Sequence, residues 1–452
     1  MAKTVSYRAV PIERLTSALL AGLLAGAEKL VVAIDVAKTK MMAGFGRQDG
    51  SLVKLVRFES SIETRTFVEL VVDTGAALGV PVEALMEPSG TYGEGLRALL
   101  HAREISVFML SPQRVRGARE VFDGVPSLRD AKSCVVMAQL HRQGVSRAYS
   151  EMSVHRVRLR ALVRRREALD APLRLYLAQL EGLCGRHWPE LLMDMDVWRA
   201  RTPLEMLAEY GSPAELVAHP VEAGALMRSA SGGMMKQNDI GRALASAARS
   251  IGMPASEEER AVICLVARET LRLRTLLKAV DKELEKVGEE HEATRGIAVV
   301  VSRVTAVMLV AHLGPLSDYA SAAALEKACG LNLKIKSSGN STGRPSITKR
   351  GAPEAQGYLY LAAMRLVKDD PLVAAWYRQR GGYLASRKLI ALVAVMRKLI
   401  RALWHVARGA SFDSTKLIDA RAIGFAPECE SSISAASDIA AKPSSHEVTA
   451  LA

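Results

Sequence analysis

The chain has 452 residues, of which 49% are hydrophobic and 24% are charged, and this length suffices for about two to four domains. The hydrophobic content excludes intrinsic disorder of the whole chain, which requires low hydrophobicity together with high net charge. Lysines and arginines number 61 against 48 acidic residues, and the resulting net charge of +13 favours a polyanion as the partner.

The five cysteines lie far apart, and the sequence contains neither a Cys-x-x-Cys pair nor histidines at zinc-ligand spacing. We therefore expect no disulfide framework and no zinc site, and a cytoplasmic location fits best. The longest apolar run near the N-terminus, residues 18–27, is shorter than the ~20 helical residues that cross a bilayer. We expect no membrane partner.

Residues 29–150 alternate between strand-like and helix-like patterns. Strands are predicted at residues 30–35, 41–45, 52–58, 84–86 and 105–110. Helices are predicted, from apolar residues at helical spacing, at residues 64–78, 92–102 and 112–120. Three antiparallel strands followed by alternating helices and strands predict an α/β layer fold. Residues 1–28, which precede it, are interpreted as a leader with one short helix.

Residues 151–295 lose the strand pattern and are predicted to be helical. Apolar residues from Leu159 to Leu180 and from Leu273 to Val287 form two stripes at helical spacing. The second stripe is compatible with either a coiled-coil seam or an ordinary amphipathic helix. Residues 296–412 are predicted to be mostly helical, with a Gly- and Ser-rich loop at 337–345. For residues 413–452, which are small and polar, we expect a disordered tail.

Three carboxylates stand where predicted elements begin or end. Asp35 and Glu87 each end a strand, and Asp130 opens a helix-like stretch. Such acids can converge at one edge of a sheet and hold Mg²⁺, which prefers oxygen ligands. Two such ions can activate a nucleophile and stabilise a leaving oxygen in phosphodiester chemistry. Because acids at element ends also cap helices or face solvent, the spacing alone leaves both interpretations open.

Residues 33–40 read Ala-Ile-Asp-Val-Ala-Lys-Thr-Lys, residues 86–92 read Met-Glu-Pro-Ser-Gly-Thr-Tyr, and the Asp130 segment follows them. Further along, residues 328–331 read Ala-Cys-Gly-Leu, the pair Ser338-Gly339 follows, and residues 347–351 read Ile-Thr-Lys-Arg-Gly. In this order and separation the motifs resemble the DEDD transposases of the insertion sequence one-hundred-ten family, which are relatives of the Piv-type DNA invertases. The resemblance covers residues 29–412.

The resemblance implies a RuvC-like, RNase H-type domain over residues 29–150, whose four acids bind Mg²⁺. It assigns Asp35, Glu87 and Asp130 to the first three acids. It also implies a central coiled coil for oligomerisation within residues 151–295, and a C-terminal transposase domain over residues 296–412. That domain would carry a serine nucleophile at Ser338, with Ser337 as the alternative. Several family members use a structured RNA, encoded by their own element, to pair with donor and target DNA.

The sequence departs from the family at the fourth acid. The family pattern Asp-x-x-Asp-Ala aligns best with Asp130 as the third acid and Ser133 in place of the fourth. A shifted alignment makes Asp130 the last acid and places Ser127 at the third position. We prefer the first alignment, in which Asp123 is a candidate substitute ligand. A neutral hydroxyl is a poorer Mg²⁺ ligand than a carboxylate, so metal affinity or activity is expected to be reduced.

Three segments rich in lysine and arginine contain no acid. They are residues 156–166, 327–353 and 371–412. Their candidate nucleic-acid contacts are Arg156, Arg158, Arg160, Arg164, Arg165, Arg166, Lys334, Lys336, Arg344, Lys349, Arg350, Arg387 and Lys388. Such residues can neutralise phosphates without reading the sequence of bases. The alternative is a solvated surface with arginines that extend towards water.

The leading hypothesis is a DNA transposase or recombinase, in which Ser338 forms a transient bond to DNA and the acids hold Mg²⁺ nearby. Its expected partners are donor and target DNA, a guide RNA, and further copies of the chain in a dimer or tetramer. One alternative is a nucleic-acid-binding remnant with weakened catalysis. Another is a metal-dependent nuclease that acts on DNA junctions without a serine–DNA bond.

Overall fold

The structure is a computed structural model that describes residues 8–88, 90–121, 124, 129–334, 337–338, 341–342 and 345–424. The backbone alone is described for residues 337–338 and 341–342. The chain divides into two compact units, residues 1–151 and 152–452. Each unit is described by itself below.

The first unit contains a seven-stranded mixed sheet with the order β1-β4-β3-β2-β5-β6-β7. Its strands are β1 (Ala9–Pro11), β2 (Leu30–Asp35), β3 (Lys40–Gly46), β4 (Leu52–Glu59), β5 (Val82–Met86), β6 (Ser106–Met109) and β7 (Arg147–Ala148). Strands β2, β3 and β4 form an antiparallel meander, whereas β5 is parallel to β2 and β6 is parallel to β5. The carboxyl ends of β2, β5 and β6 therefore lie at the same edge of the sheet.

Helices cover both faces of this sheet. They are α1 (Ser17–Leu23), α2 (Thr64–Leu78), α3 (Glu94–Ala102), α4 (Pro112–Gly117) and α5 (Asp130–Arg142). Val32 and Ile34 of β2 belong to the core beneath α1, α2 and α3, while Val31 and Ala33 belong to the core beneath α4 and α5. Because both faces are buried, β2 is an uninterrupted apolar run up to Asp35.

The predicted mixed α/β fold is confirmed for this unit. The predicted strand 30–35 and helix 64–78 coincide with β2 and α2, and the other predicted elements differ at their ends by up to three residues. The predicted leader does contain one short helix, α1, but it also contributes β1, which pairs in parallel with β4. A three-residue strand is too short to show the alternation that identifies strands in a sequence.

The second unit is mostly helical. Its helices are α6 (Val154–His187), α7 (Pro189–Asp194), α8 (Thr202–Glu209), α9 (Pro213–Ala218), α10 (Pro220–Ala230), α11 (Gln237–Ala248), α12 (Glu257–Glu290), α13 (Glu292–Ile297), α14 (Arg303–Leu313), α15 (Ala322–Ala328), α16 (Pro353–Asp369), α17 (Pro371–Gln379), α18 (Lys388–Val406) and α19 (Ser414–Leu417). Four two-residue strands, β8 (Leu333–Lys334), β9 (Ser337–Ser338), β10 (Ser341–Thr342) and β11 (Ser346–Ile347), lie between α15 and α16.

The two longest helices of this unit, α6 and α12, pack against each other as an antiparallel pair. Arg166 near the start of α6 pairs with Asp281 near the end of α12, and Arg186 at the end of α6 pairs with Glu259 at the start of α12. The apolar stripe from Leu273 to Val287 is buried in cores that α6 shares. This burial within one chain favours the amphipathic helix over a coiled-coil seam between chains.

One hydrophobic core contains residues on both sides of the predicted domain boundary at residue 295, including Leu284 and Leu309. The core also receives Ile418, whose surface is 3% exposed, and α19 lies just before it. The expectation of a disordered tail from residue 413 is therefore wrong for residues 413–424, because apolar side chains there pack against the core. Residues 425–452 lie outside the described residues.

Within the described part of the chain, every helix is either too short or too polar to span a bilayer.

Arg166 should contribute to folding stability, because its side chain is only 3% exposed and its Nε donates to Asp281 at 2.6 Å. Replacing Arg166 with Met removes the partner of the Asp281 carboxylate and should lower the free energy of unfolding by about 2–4 kcal/mol. Denaturant unfolding measures this loss.

The neighbouring residue provides a matched control. Arg165 is exposed and pairs with Glu283 at 3.3 Å, so Arg165→Met should cost less than about 1 kcal/mol. Equal losses in the two variants would contradict the structural role of Arg166.

Candidate active site

The sheet brings two of the predicted acids to adjacent positions. Ile34 of β2 lies opposite Met86 of β5 in a parallel pair, and the residue after each is a carboxylate, Asp35 and Glu87. Asp35 is the last residue of β2, and Glu87 follows the last residue of β5. The register of two parallel strands therefore places both acids at one edge of the sheet.

Helix α5 supplies the third acid. It packs across β2 and β3, and the Cys134 thiol donates a hydrogen bond to the backbone carbonyl of Met42 at 3.5 Å. Asp130 is its first residue, and Ser133 follows at a spacing that places the two side chains on one helix face. The buried Ser133 hydroxyl donates a hydrogen bond to the Asp35 carboxylate.

The three carboxylates interact electrostatically. Burial raises the pKa of Asp35, and the negative charge of Asp130 raises it further. Burial also raises the pKa of Glu87, and the charge of Asp35 adds to that effect. Because each ionised acid disfavours ionisation of the next, the cluster is poised to gain from a nearby cation.

The donor chemistry of the cluster fits a hard divalent cation. Its ligands would be three carboxylates, Asp35, Glu87 and Asp130, with the Ser133 hydroxyl beside them, and all are oxygen donors of the kind that Mg²⁺ selects. Among the described residues, however, no three metal-ligating side chains already surround a single point. A bound ion would have to draw the carboxylates together from the positions seen here.

Arg119, which sequence reasoning missed, reaches the position expected for the fourth acid. Its Nη2 donates to the Ser133 hydroxyl oxygen at 3.0 Å, and its positive charge lowers the pKa of both Asp35 and Glu87. The placement of Ser133 beside Asp35 favours the alignment in which Ser133 replaces the fourth acid. Ser127 and Asp123, the other candidates, lie outside the described residues. The run of arginines at 114, 116 and 119 was the available sequence signal.

The segment around Ser338 is built of two short antiparallel ladders. Strand β8 pairs with β11, and β9 pairs with β10, so that Ser338 lies opposite Ser341. The expectation of an irregular loop at 337–345 is therefore wrong where these strands form. The glycines and serines correctly indicated a break in the helical pattern. Strands of two residues are too short to show the alternation of polar and apolar side chains by which a strand is predicted.

Two segments that carry the family resemblance, residues 328–331 and 347–351, form the base of the Ser338 segment. The backbone N–H of Lys349 donates to the carbonyl of Gly330 at 3.0 Å, and that of Thr348 donates to Asn332 at 2.9 Å. A Cβ at Gly351 would lie 2.3 Å from the carbonyl oxygen of Ala328, so this close approach of backbones requires glycine. The motifs at 328–331 and 347–351 thus hold both ends of the Ser338 segment.

The structure separates the predicted nucleic-acid contacts into exposed and structural residues. The exposed ones are Arg158, Arg164, Arg165, Lys334, Lys349, Arg350, Arg387 and Lys388. Arg158 and Arg165 each have an acid of α12 nearby, Glu290 at 3.8 Å and Glu283 at 3.3 Å. Lys336 and Arg344 lie outside the described residues.

Arg166 is buried against Asp281 and Tyr358, so the prediction that it contacts nucleic acid is wrong. Arg156 and Arg160 are half-buried, and the guanidinium of Arg156 lies against Gly314 at the end of α14. In the block at 371–412, Arg397 and Arg401 both donate to the buried carboxylate of Glu326. Part of the blocks at 156–166 and 371–412 therefore serves packing, which charge counting cannot distinguish from binding.

Comparisons with known proteins agree with this organisation. A transposase family model for DEDD proteins of the IS110 type matches residues 32–183, and a model described as the transposase IS116/IS110/IS902 family matches residues 299–378. The insertion element IS116 uncharacterized 44.8 kDa protein of Streptomyces clavuligerus is 24% identical over 237 residues, which cover 51% of this chain and 57% of the relative. The chain thus spans little more than half the length of that relative.

Both matching family models are described as transposases, and together they cover just over half of the chain. The chain belongs to the IS110 family of DEDD transposases. The resemblance inferred from the motifs at 33–40, 86–92, 130–140 and 328–351 is confirmed.

Replacing Asp35 with Asn should stabilise the metal-free protein at neutral pH by roughly 1 kcal/mol. Because the pKa of Asp35 is raised on folding, the folded state disfavours the carboxylate, and wild-type stability declines as pH rises from the unfolded pKa to the folded one. The advantage of the variant should be absent below pH ~3.9, the ordinary pKa of Asp, and complete above the raised pKa. Thermal unfolding in EDTA across this range measures it.

Asp49 provides a control of opposite sign in the same unit. Its carboxylate accepts hydrogen bonds from the Ser51 backbone at 2.8 Å and hydroxyl at 2.6 Å, which hold its pKa below the usual range. Asp49→Asn should therefore lower stability at neutral pH, and the loss should vanish in acid. A loss of stability at neutral pH in both variants would show that Asp35 is not repelled by its neighbours.

Proposed function

We propose that this protein is a DNA transposase that cuts and rejoins DNA, with Ser338 as the nucleophile and with Asp35, Glu87 and Asp130 as ligands of Mg²⁺. The observation that carries the proposal is the convergence of three electrostatically coupled carboxylates at one sheet edge in a chain of this family. The mixed sheet, with its antiparallel meander followed by parallel strands, supports a RuvC-like, RNase H-type fold for residues 29–150.

The chemistry assigned to Ser338 is transesterification. Its Oγ attacks a scissile phosphorus and a serine–phosphate ester forms. The bond from phosphorus to the leaving DNA oxygen breaks, and the serine proton passes to that oxygen, which becomes a free DNA hydroxyl. Attack by the hydroxyl of another DNA end reverses the step, restores the serine and joins the new strands. One phosphodiester is exchanged for another, so no energy source is required.

The acids and the basic surfaces have separate roles in this proposal. Mg²⁺ held by Asp35, Glu87 and Asp130 would offset the negative charge of the phosphate. Lys334 lies on β8, and Lys349 and Arg350 lie at the base of the Ser338 segment. All three are exposed and can contact phosphates. Arg387 and Lys388, at the start of α18, add a further basic surface.

A structured RNA encoded by the element is proposed to select donor and target by base pairing, since backbone contacts from lysine and arginine do not read sequence. Joining two duplexes requires more than one copy of the chain, and we assign the active form to a homo-oligomer, a dimer or tetramer, in the cytoplasm.

A catalytically weakened nucleic-acid-binding remnant is the second candidate. The observation that favours it is Ser133, a buried neutral hydroxyl where the family has its fourth acid. Recombination by the wild-type protein would exclude the remnant, whereas recombination only after Ser133→Asp would support it.

Strand exchange on a plasmid that carries the element's ends tests the leading proposal. Ser338→Ala should lower exchange by at least about a thousandfold, because the residue that forms the covalent bond is removed. Asp35→Ala and Glu87→Ala should each cause a comparable loss.

Ser337→Ala is the matched control, since Ser337 neighbours Ser338 on the same strand, and it should retain exchange. A denaturing gel should show a protein–DNA adduct that forms with wild type and disappears in Ser338→Ala. Undiminished exchange by Ser338→Ala would refute the serine's role, and free nicks without an adduct would point to hydrolysis by a junction nuclease.

A further inference from the structure

A guanidinium occupies the part of the acid cluster where a fourth carboxylate was expected. Ser133 is 1% exposed and lies one helical turn from Asp130. The Ser133 hydroxyl oxygen accepts a hydrogen bond from Arg119 Nη2 at 3.0 Å, and the hydroxyl donates a hydrogen bond to the Asp35 carboxylate. Two hydrogen bonds that share the Ser133 hydroxyl thus connect Arg119 to Asp35.

The positive charge of Arg119 acts on the acids of the site. No carboxylate among the described residues lies within ion-pair distance of it, so it forms no structural salt bridge in that part of the chain. It nevertheless favours the ionised forms of both Asp35 and Glu87. Its Nε is buried without a hydrogen-bond partner in the same part of the chain, an arrangement that costs free energy unless a ligand accepts from it.

We propose that Arg119 is a fixed cation of this site and replaces one of two divalent ions. Three carboxylates carry three negative charges, Arg119 returns one positive charge, and a single divalent cation neutralises the remaining two. Arg116 acts on Glu87 but not on Asp35, and less strongly than Arg119 does, so it stands outside this count. A site with four acids and no guanidinium would instead balance two divalent cations. This inference rests on the proposed metal-binding role of the acids and specifies the number of ions that they hold.

Calorimetric titration of the full-length, EDTA-treated protein with Mn²⁺ tests the inference without DNA and without an activity assay. The wild type should bind one ion per chain. Arg119→Gln should bind Mn²⁺ at least tenfold more tightly, because a positive charge near the ion is removed. Arg119→Lys, which keeps the charge, should remain within about threefold of wild type.

Three further variants separate charge from structure. Ser133→Ala removes the hydroxyl that Arg119 contacts, which is also an oxygen donor beside the acids, but keeps the charge of Arg119, so it should not reproduce the tighter Mn²⁺ binding of Arg119→Gln. Arg65→Gln, on α2, changes the net charge equally, but Arg65 acts on neither Asp35 nor Glu87, and the affinity should not change. The double variant Arg119→Gln with Ser133→Asp should bind two ions.

Two ions bound by the wild type would overturn the inference even if a variant failed to fold. Unchanged or weaker binding by a folded Arg119→Gln would overturn it as well, while leaving the proposed function intact. A different result would contradict the proposed function: an Asp35→Ala protein that binds Mn²⁺ as tightly as wild type.

Discussion

The candidate site is defined by electrostatic repulsion among Asp35, Glu87 and Asp130, which the fold holds near one another. Asp35 and Glu87 follow paired residues of two adjacent parallel strands, and Asp130 begins the helix that packs across them. Backbone pairing fixes the ends of the two strands, so Asp35 and Glu87 remain neighbours at one edge of the sheet. Burial and like charge therefore raise the pKa of Asp35 and of Glu87. Such a concentration of unfavourable charge at a sheet edge is typical of a functional site.

The rest of the first unit keeps this edge in place. The apolar run of β2 is buried on both faces, by residues such as Phe67 on one side and Cys134 on the other. Removal of either layer would expose the strand that ends in Asp35. Ser133 is part of α5 and Arg119 follows the end of α4, so the helices that cover this face of the sheet also bring these two residues to Asp35.

Much of the fold, and part of the site, could be predicted from the sequence. The limits of β2 followed from a β-branched apolar run that ends in a carboxylate, and those of α2 from helical periodicity. Asp35, Glu87 and Asp130 followed from motif order. The role of Arg119 could not be predicted, because its contact with Ser133 joins residues from different elements and depends on how α5 packs. For the same reason, Arg166 seemed to be a surface arginine: its partner Asp281 lies 115 residues away.

The central claim is that the fold holds Asp35, Glu87 and Asp130 against their repulsion so that a divalent cation can bind among them. A crystal structure of the full-length protein grown with Mn²⁺, with anomalous diffraction data, tests this claim most directly. We predict an anomalous peak within coordination distance, about 2.0–2.2 Å, of oxygens from these three carboxylates. Ordered carboxylates without a peak among them at saturating Mn²⁺, or a peak only at other residues, would contradict the account.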